Sequence, residues 1–111
     1  MISDKQRLIL EAAAKACGIN IYGWADGKAY VRADGDEYEW NPLTSPADCA
    51  EMCAELFIDV RFYKDLTYLA CGVRGTNNHI SIEIKDHDNS RVKAWMAAAT
   101  IVAARIGGYK E

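Results

Sequence analysis

A chain of 111 residues, half of them hydrophobic, fits one domain spanning 1–111. At this size a single core needs neither metal nor disulfide to hold it. A formal net charge of -3 and an isoelectric point of about 5.4 give no steering toward nucleic acid or anionic lipid.

The first expected element is a helix from Ser3 to Cys17. Ser3 and Gln6 match a capping box, and Leu8, Ile9, Ala12, Ala13 and Ala16 recur at helical spacing. Asp4, Lys5, Arg7 and Glu11 interrupt this segment, so it lacks the apolar stretch of a signal peptide. Gly18 supplies the stop. Three short extended runs follow, from Ile19, Lys28 and Glu37, separated by Asp26-Gly27 and Asp34-Gly35. Asp-Gly suits tight turns with two positive φ values, so 19–40 reads as a three-stranded antiparallel meander. By simple alternation Tyr22 and Trp24 share one face, as do Tyr38 and Trp40.

Pro42 restricts Asn41 to extended backbone and ends the meander. Ser45 is a helix cap, Pro46 occupies the first helical position, and Asp48 completes a capping box with Ser45. Trp40, Asn41, Pro42, Ser45 and Asp48 thus form a structural corner between sheet and helix. The ring plugs the gap and Asn41 ties the turn. A short helix runs to about Leu56, with Ala50, Met52, Cys53, Leu56 and Phe57 supplying apolar positions. Next comes a strand with Ile58, Val60 and Phe62 inward and Asp59 and Arg61 outward, then a turn at Lys64-Asp65 and a strand from Leu66. Arg74–Asn78 is a loop, and a strand from His79 places Ile80, Ile82 and Ile84 inward. The final helix, from about Ser90 to Ile106, is expected to bury Val92, Trp95, Met96, Ala99, Val102, Ala103 and Ile106. Its longest nonpolar run, Ala94 to Ala104, is broken by Thr100 and closed by Arg105, which is too short to span a bilayer. A cytoplasmic chain follows as the expectation.

The fold class is therefore α+β, in the order helix, three-strand meander, helix, three strands, helix. One sheet covered by helices, like an α/β/α sandwich, is the expected arrangement. The Ala-rich last helix and the surplus of aromatics suggest self-association as a homodimer or larger assembly.

Cys49 and Cys53 lie four apart on one helix face and could supply half a zinc site, but Cys17, Cys71, His79 and His87 form no second close pair. Free thiols and no bound metal are expected. A Cys71–His79 nucleophilic pair would need a third orienting group. The acidic residues Asp26, Asp34, Asp36, Glu37 and Glu39 are accounted for by turns and a wet strand face. No phosphate-loop, dinucleotide or zinc-protease motif is present. No catalytic residue and no cofactor is therefore assigned, which points away from an enzyme. The ligand-binding candidates are the aromatics Tyr22, Trp24 and Tyr30, and the loop residues Arg74, Thr76, Asn77 and Asn78, whose guanidinium, hydroxyl and amides suit a phosphate or a base.

The run WNPLTSPADCAEMCAEL, from Trp40, resembles the central motif of the phage ABA sandwich domain family, small proteins of tailed phages and prophages. The matching residues are Trp24, Trp40, Asn41, Pro42, Leu43, Thr44 and Asp48, with the Ala-rich helix from Arg91. Cys49, Met52 and Cys53 stand where members usually carry aliphatic residues. The resemblance implies helices on both sides of a central sheet and implies no activity. With the residue reading, it suggests a non-enzymatic phage accessory protein in the host cytoplasm. Its target would be a host protein or a small nucleotide, in a counter-defence role. A small metal-dependent hydrolase or nuclease using two or more of Asp34, Asp36, Glu37, Glu39 and His79 is one alternative. A structural or assembly protein is another.

Overall fold

The computed structural model describes residues 3–64 and 67–111. In chain order the elements are α1 (Asp4–Ala16), β1 (Ile21–Ala25), β2 (Lys28–Ala33), β3 (Asp36–Glu39), α2 (Pro46–Leu56), β4 (Ile58–Phe62), β5 (Tyr68–Val73), β6 (His79–Glu83) and α3 (Arg91–Ile106). A 3-10 turn, Ile84–His87, joins β6 to α3, so the last expected strand stops before Ile84. The expected turn at Lys64-Asp65 and strand start at Leu66 fall partly on residues outside those described.

The α+β class and the element order stand as the sequence indicates. The single sheet does not. The strands form two antiparallel three-stranded sheets, β1-β2-β3 (sheet 1) and β4-β5-β6 (sheet 2). Strand β3 shows why they stay apart. It is an edge strand whose four residues, Asp36-Glu37-Tyr38-Glu39, are all exposed and mostly acidic, which opposes pairing with a further strand.

The turns follow from local chemistry. Asp26 and Gly27 have φ of 54° and 75°, and Asp34 and Gly35 have 53° and 83°. Two consecutive positive values close a tight hairpin whose twist matches the strands. Ser3 and Gln6 form the full capping box of α1.

Helix α3 is the centre of the molecule. It packs against α1, against α2 and against all three strands of sheet 2. Ala94, Met96, Ala98, Ala99, Thr100, Val102, Ala103 and Ala104 are buried. Small side chains let its backbone approach neighbours on several sides. One close approach is at its C-terminal cap, where a Cβ built on Gly107 would lie 1.8 Å from the Ala12 carbonyl oxygen. The alanines thus spend their apolar surface inside the chain. Val92 and Ile106, expected on the buried stripe, are exposed, because the crowded surface of α3 is its alanine face. Leu8 of α1 is exposed while Leu10 is buried, and Phe62 of β4 is exposed while Ile58 is buried. Phe57 belongs to neither α2 nor the core. It caps α2 in the left-handed region at φ 58° and is 79% exposed.

Trp40 and Val31 of sheet 1 share one apolar core with α1, α3 and sheet 2. Trp40 is 4% exposed, and its N–H continues the sheet 1 ladder by donating to the Ala29 carbonyl at 3.0 Å.

Candidate binding groove on the outer face of sheet 2

In sheet 2 the strands alternate between a face under α3 and an outer face. Asp59 and Arg61 of β4 stand opposite Gly72 and Ala70 of β5, which in turn stand opposite His79 and Ser81 of β6. All six side-chain positions fall on the outer face. The central strand therefore carries small residues between two strands of polar ones, and the result is a trough. Gly72 sets its depth. A Cβ there would lie 2.6 Å from the His79 Cβ, so only glycine lets His79 sit so close to the floor.

The trough encloses about 320 Å³ and is lined by Asp59, Arg61, Tyr63, Arg74, Thr76 and His79 over the Ala70–Gly75 backbone. This is the lower end of the range for small-molecule sites. Tyr63 and Tyr68 meet at its far end, ring centroids 5.4 Å apart and planes tilted by 49°. Arg74 reaches Asp59 at 3.9 Å, with both side chains well exposed, a loose pair that holds neither in place. Arg61 has no ion-pair partner among the described residues.

The loop that presents Arg74 is ordered by its own side chains. Thr76 Oγ1 donates to the Val73 carbonyl at 2.8 Å and accepts the Asn78 N–H at 3.1 Å. The Asn78 carbonyl accepts the Val73 N–H at 3.0 Å, and Gly75 takes φ 82°. The groove thus gathers Arg74 and Thr76 but not Asn77 or Asn78. Asp59, Arg61, Tyr63 and His79 join them; of these the sequence points only to His79, and there as a metal-ligand, nucleophile-partner or hydrolase candidate. The alternating Asp59-Val60-Arg61 and the small pair Ala70 and Gly72 were the available signal.

The aromatic candidates of sheet 1 do not form a second site with it. A bulge between Ile21 and Gly23 shifts the register, so Trp24 faces inward opposite Ala29 while Tyr22 lies outward. The expectation that Tyr22 and Trp24 share a face is therefore corrected. Each ring already has a cation: Arg7 lies over Trp24 at 4.8 Å and Arg32 over Tyr22 at 4.4 Å. A hydrogen bond with Glu37 raises the Tyr22 hydroxyl above its usual range. Tyr30 is half-buried beside them. A wider depression of about 550 Å³ lies between the end of α1 and β1, lined by Glu11, Lys15, Asn20 and Trp24 among others. Its Trp24 is covered by Arg7, which also pairs with Glu11 at 3.2 Å, so the ring face and that carboxylate are already engaged, and Lys15 and Asn20 are the polar side chains left in its lining.

The corner between sheet 1 and α2 is tied by three hydrogen bonds. Asn41 Oδ1 accepts the Leu43 N–H at 2.9 Å, Ser45 Oγ accepts the Asp48 N–H at 3.2 Å, and Asp48 Oδ2 accepts the Asn41 N–H at 2.9 Å. The expected capping box is thus half-formed. Asp48 reaches past Ser45 to Asn41, because the chain folds back from Trp40 over the first turn of α2. Pro42 is fully buried.

All four cysteines are free. Cys53 accepts a hydrogen bond from the Cys49 thiol, and a further one from Trp95, and is held below the usual thiol range despite partial burial. Cys49, as the donor, is pushed up, as burial also dictates. Burial raises Cys71 to about 12 and Cys17 to about 11. Among the described residues no group of three or more His, Cys, Asp or Glu side chains gathers to hold a metal ion. Among them also no helix is long and apolar enough to cross a membrane. Comparison with family models, with curated proteins and with solved structures gave no match.

Proposed function

We propose that the chain is a non-enzymatic binding protein whose ligand is a small nucleotide held in the groove of sheet 2. The supporting observation is the floor of Ala70 and Gly72, flanked by Arg61, Arg74 and His79, with Tyr63 at the far end. A phosphate suits a guanidinium, which offers several donors in one plane, and a base suits the face of a tyrosine. Arg74 is the anchor in this reading, because its pair with Asp59 is long and exposed and yields readily to an anion. The motif around Trp40 supports a place among phage accessory proteins acting in a host cell, where capturing a nucleotide signal would serve counter-defence.

Native mass spectrometry of gently purified protein tests this reading. It should show a species heavier by one nucleotide. In titrations with ribonucleoside mono- and diphosphates, Arg74→Ala should weaken binding by about tenfold or more, the loss of one charge-assisted contact. Binding of none of these nucleotides, or equal binding by the Arg74 variant, would contradict it.

A further inference from the structure

We infer that β4 is a dimerisation strand, pairing antiparallel with β4 of a second copy about a two-fold axis at Val60. The proposal does not need a nucleotide in the groove, but Asp59 and Arg61 line both the groove and the seam.

The free edge of sheet 2 can be located from its hydrogen bonds. Val73 donates to Asn78 and Ile84 donates to Thr67, so the odd residues of β5 face β6. The even residues of β5 then face β4, and Gly72 and Ala70 stand opposite Asp59 and Arg61. Backbone groups alternate along a strand. The N–H and C=O of Asp59 and Arg61 are therefore used within the sheet, and those of Ile58, Val60 and Phe62 point to the open side. No further strand pairs there among the described residues. The opposite edge differs. The His79 carbonyl, on the outer side of β6, already accepts Arg105 Nη1 at 3.2 Å.

The sequence of β4 is self-complementary in one register. With Val60 opposite Val60 of the second copy, Ile58 meets Phe62, and these outward-pointing residues form the hydrogen-bonded pairs. Asp59 then stands opposite Arg61 in the non-hydrogen-bonded positions, where side chains approach most closely. Both ion pairs lie on the outer face, and Ile58, Val60 and Phe62 meet on the face under the helices. Sliding by two residues either way sets Asp59 against Asp59 or Arg61 against Arg61, which opposes those registers. Phe62, 49% exposed in one chain, gains an apolar neighbour in Ile58 of the second copy. The product is one continuous six-stranded sheet without the open β4 edge.

Charge reversal tests this directly. Sedimentation of the wild-type chain at about 100 µM, well above a micromolar dissociation constant, should give a dimer. Asp59→Arg sets like charges against each other twice and should raise the dissociation constant by at least about tenfold. The double variant Asp59→Arg with Arg61→Asp restores both pairs and should recover the dimer. Val60→Pro removes an N–H that only the second copy would use, and should leave a folded monomer by circular dichroism. A monomeric wild type, a dimer indifferent to Asp59→Arg, or a folded double variant that stays monomeric would overturn the proposal.

Discussion

Asp48 Oδ2 accepts the backbone N–H of Asn41 at 2.9 Å, across seven residues and around a buried proline. This bond closes the corner that hands the chain from sheet 1 to α2. The carboxylate also lies at the positive end of α2, so one side chain serves two needs. Asp48→Ala leaves a half-buried N–H unpaired and should destabilise the fold by about 1–3 kcal/mol. Asp48→Asn keeps an acceptor but no charge, and should cost less. Urea melts of the two variants order them, and equal melts for Ala and wild type would contradict the role.

Trp40 anchors the same corner from inside the core. Trp40→Ala should destabilise by roughly 3–5 kcal/mol, the range for deleting a buried large aromatic. A variant that melts like the parent would show that the ring is not structural.

Gly107 and Gly23 make a paired test of backbone approach. Gly107 has no need of positive φ, yet a Cβ there meets the Ala12 carbonyl at 1.8 Å, whereas a Cβ on Gly23 meets nothing within 4 Å. Gly107→Ala must push α1 off α3 and should cost about 1–3 kcal/mol, the range for overpacking. Gly23→Ala should be close to neutral in thermal melts.

The local features were readable in the sequence because their causes are local. Asp26-Gly27 and Asp34-Gly35 announce their turns by composition, and Ser3-Gln6 announces its cap. What joins distant segments was not readable. Period-two alternation specifies a face but not a partner, and the acidic run of β3 reads as a closed edge only once its pairing with β2 alone is seen. A one-residue bulge at Tyr22 reverses the face assignment that alternation alone makes. In α3 the alanines fit close neighbours on several sides, and the larger Val92 and Ile106 are left at the surface. The groove divides the same way. Arg74 and Thr76 lie in one recognisable loop, whereas Asp59, Arg61 and His79 join them only through cross-strand pairing.

The thiols give a pH dependence with a defined sign. Folding raises Cys17 to about 11 and Cys71 to about 12, from an ordinary value of 9.0. Below that ordinary value both states keep the proton and the stabilising contribution is complete. As pH rises above it, the unfolded chain ionises first, and stability falls until the folded thiols titrate. Denaturant midpoints should therefore drop between pH 9 and 11, and drop less in Cys71→Ala. Cys53, shifted down by its bond from Cys49, should be the first thiol alkylated by iodoacetamide. Equal alkylation of all four would contradict this order.

The nucleotide reading is tested most directly by amide chemical-shift mapping during titration with ribonucleoside mono- and diphosphates. Saturable shifts are expected at Arg61, Gly72, Arg74, Gly75, Thr76 and His79, with sheet 1 and the Trp40 corner unmoved. Shifts centred on Trp24 and the end of α1, or none at any nucleotide concentration, would contradict it.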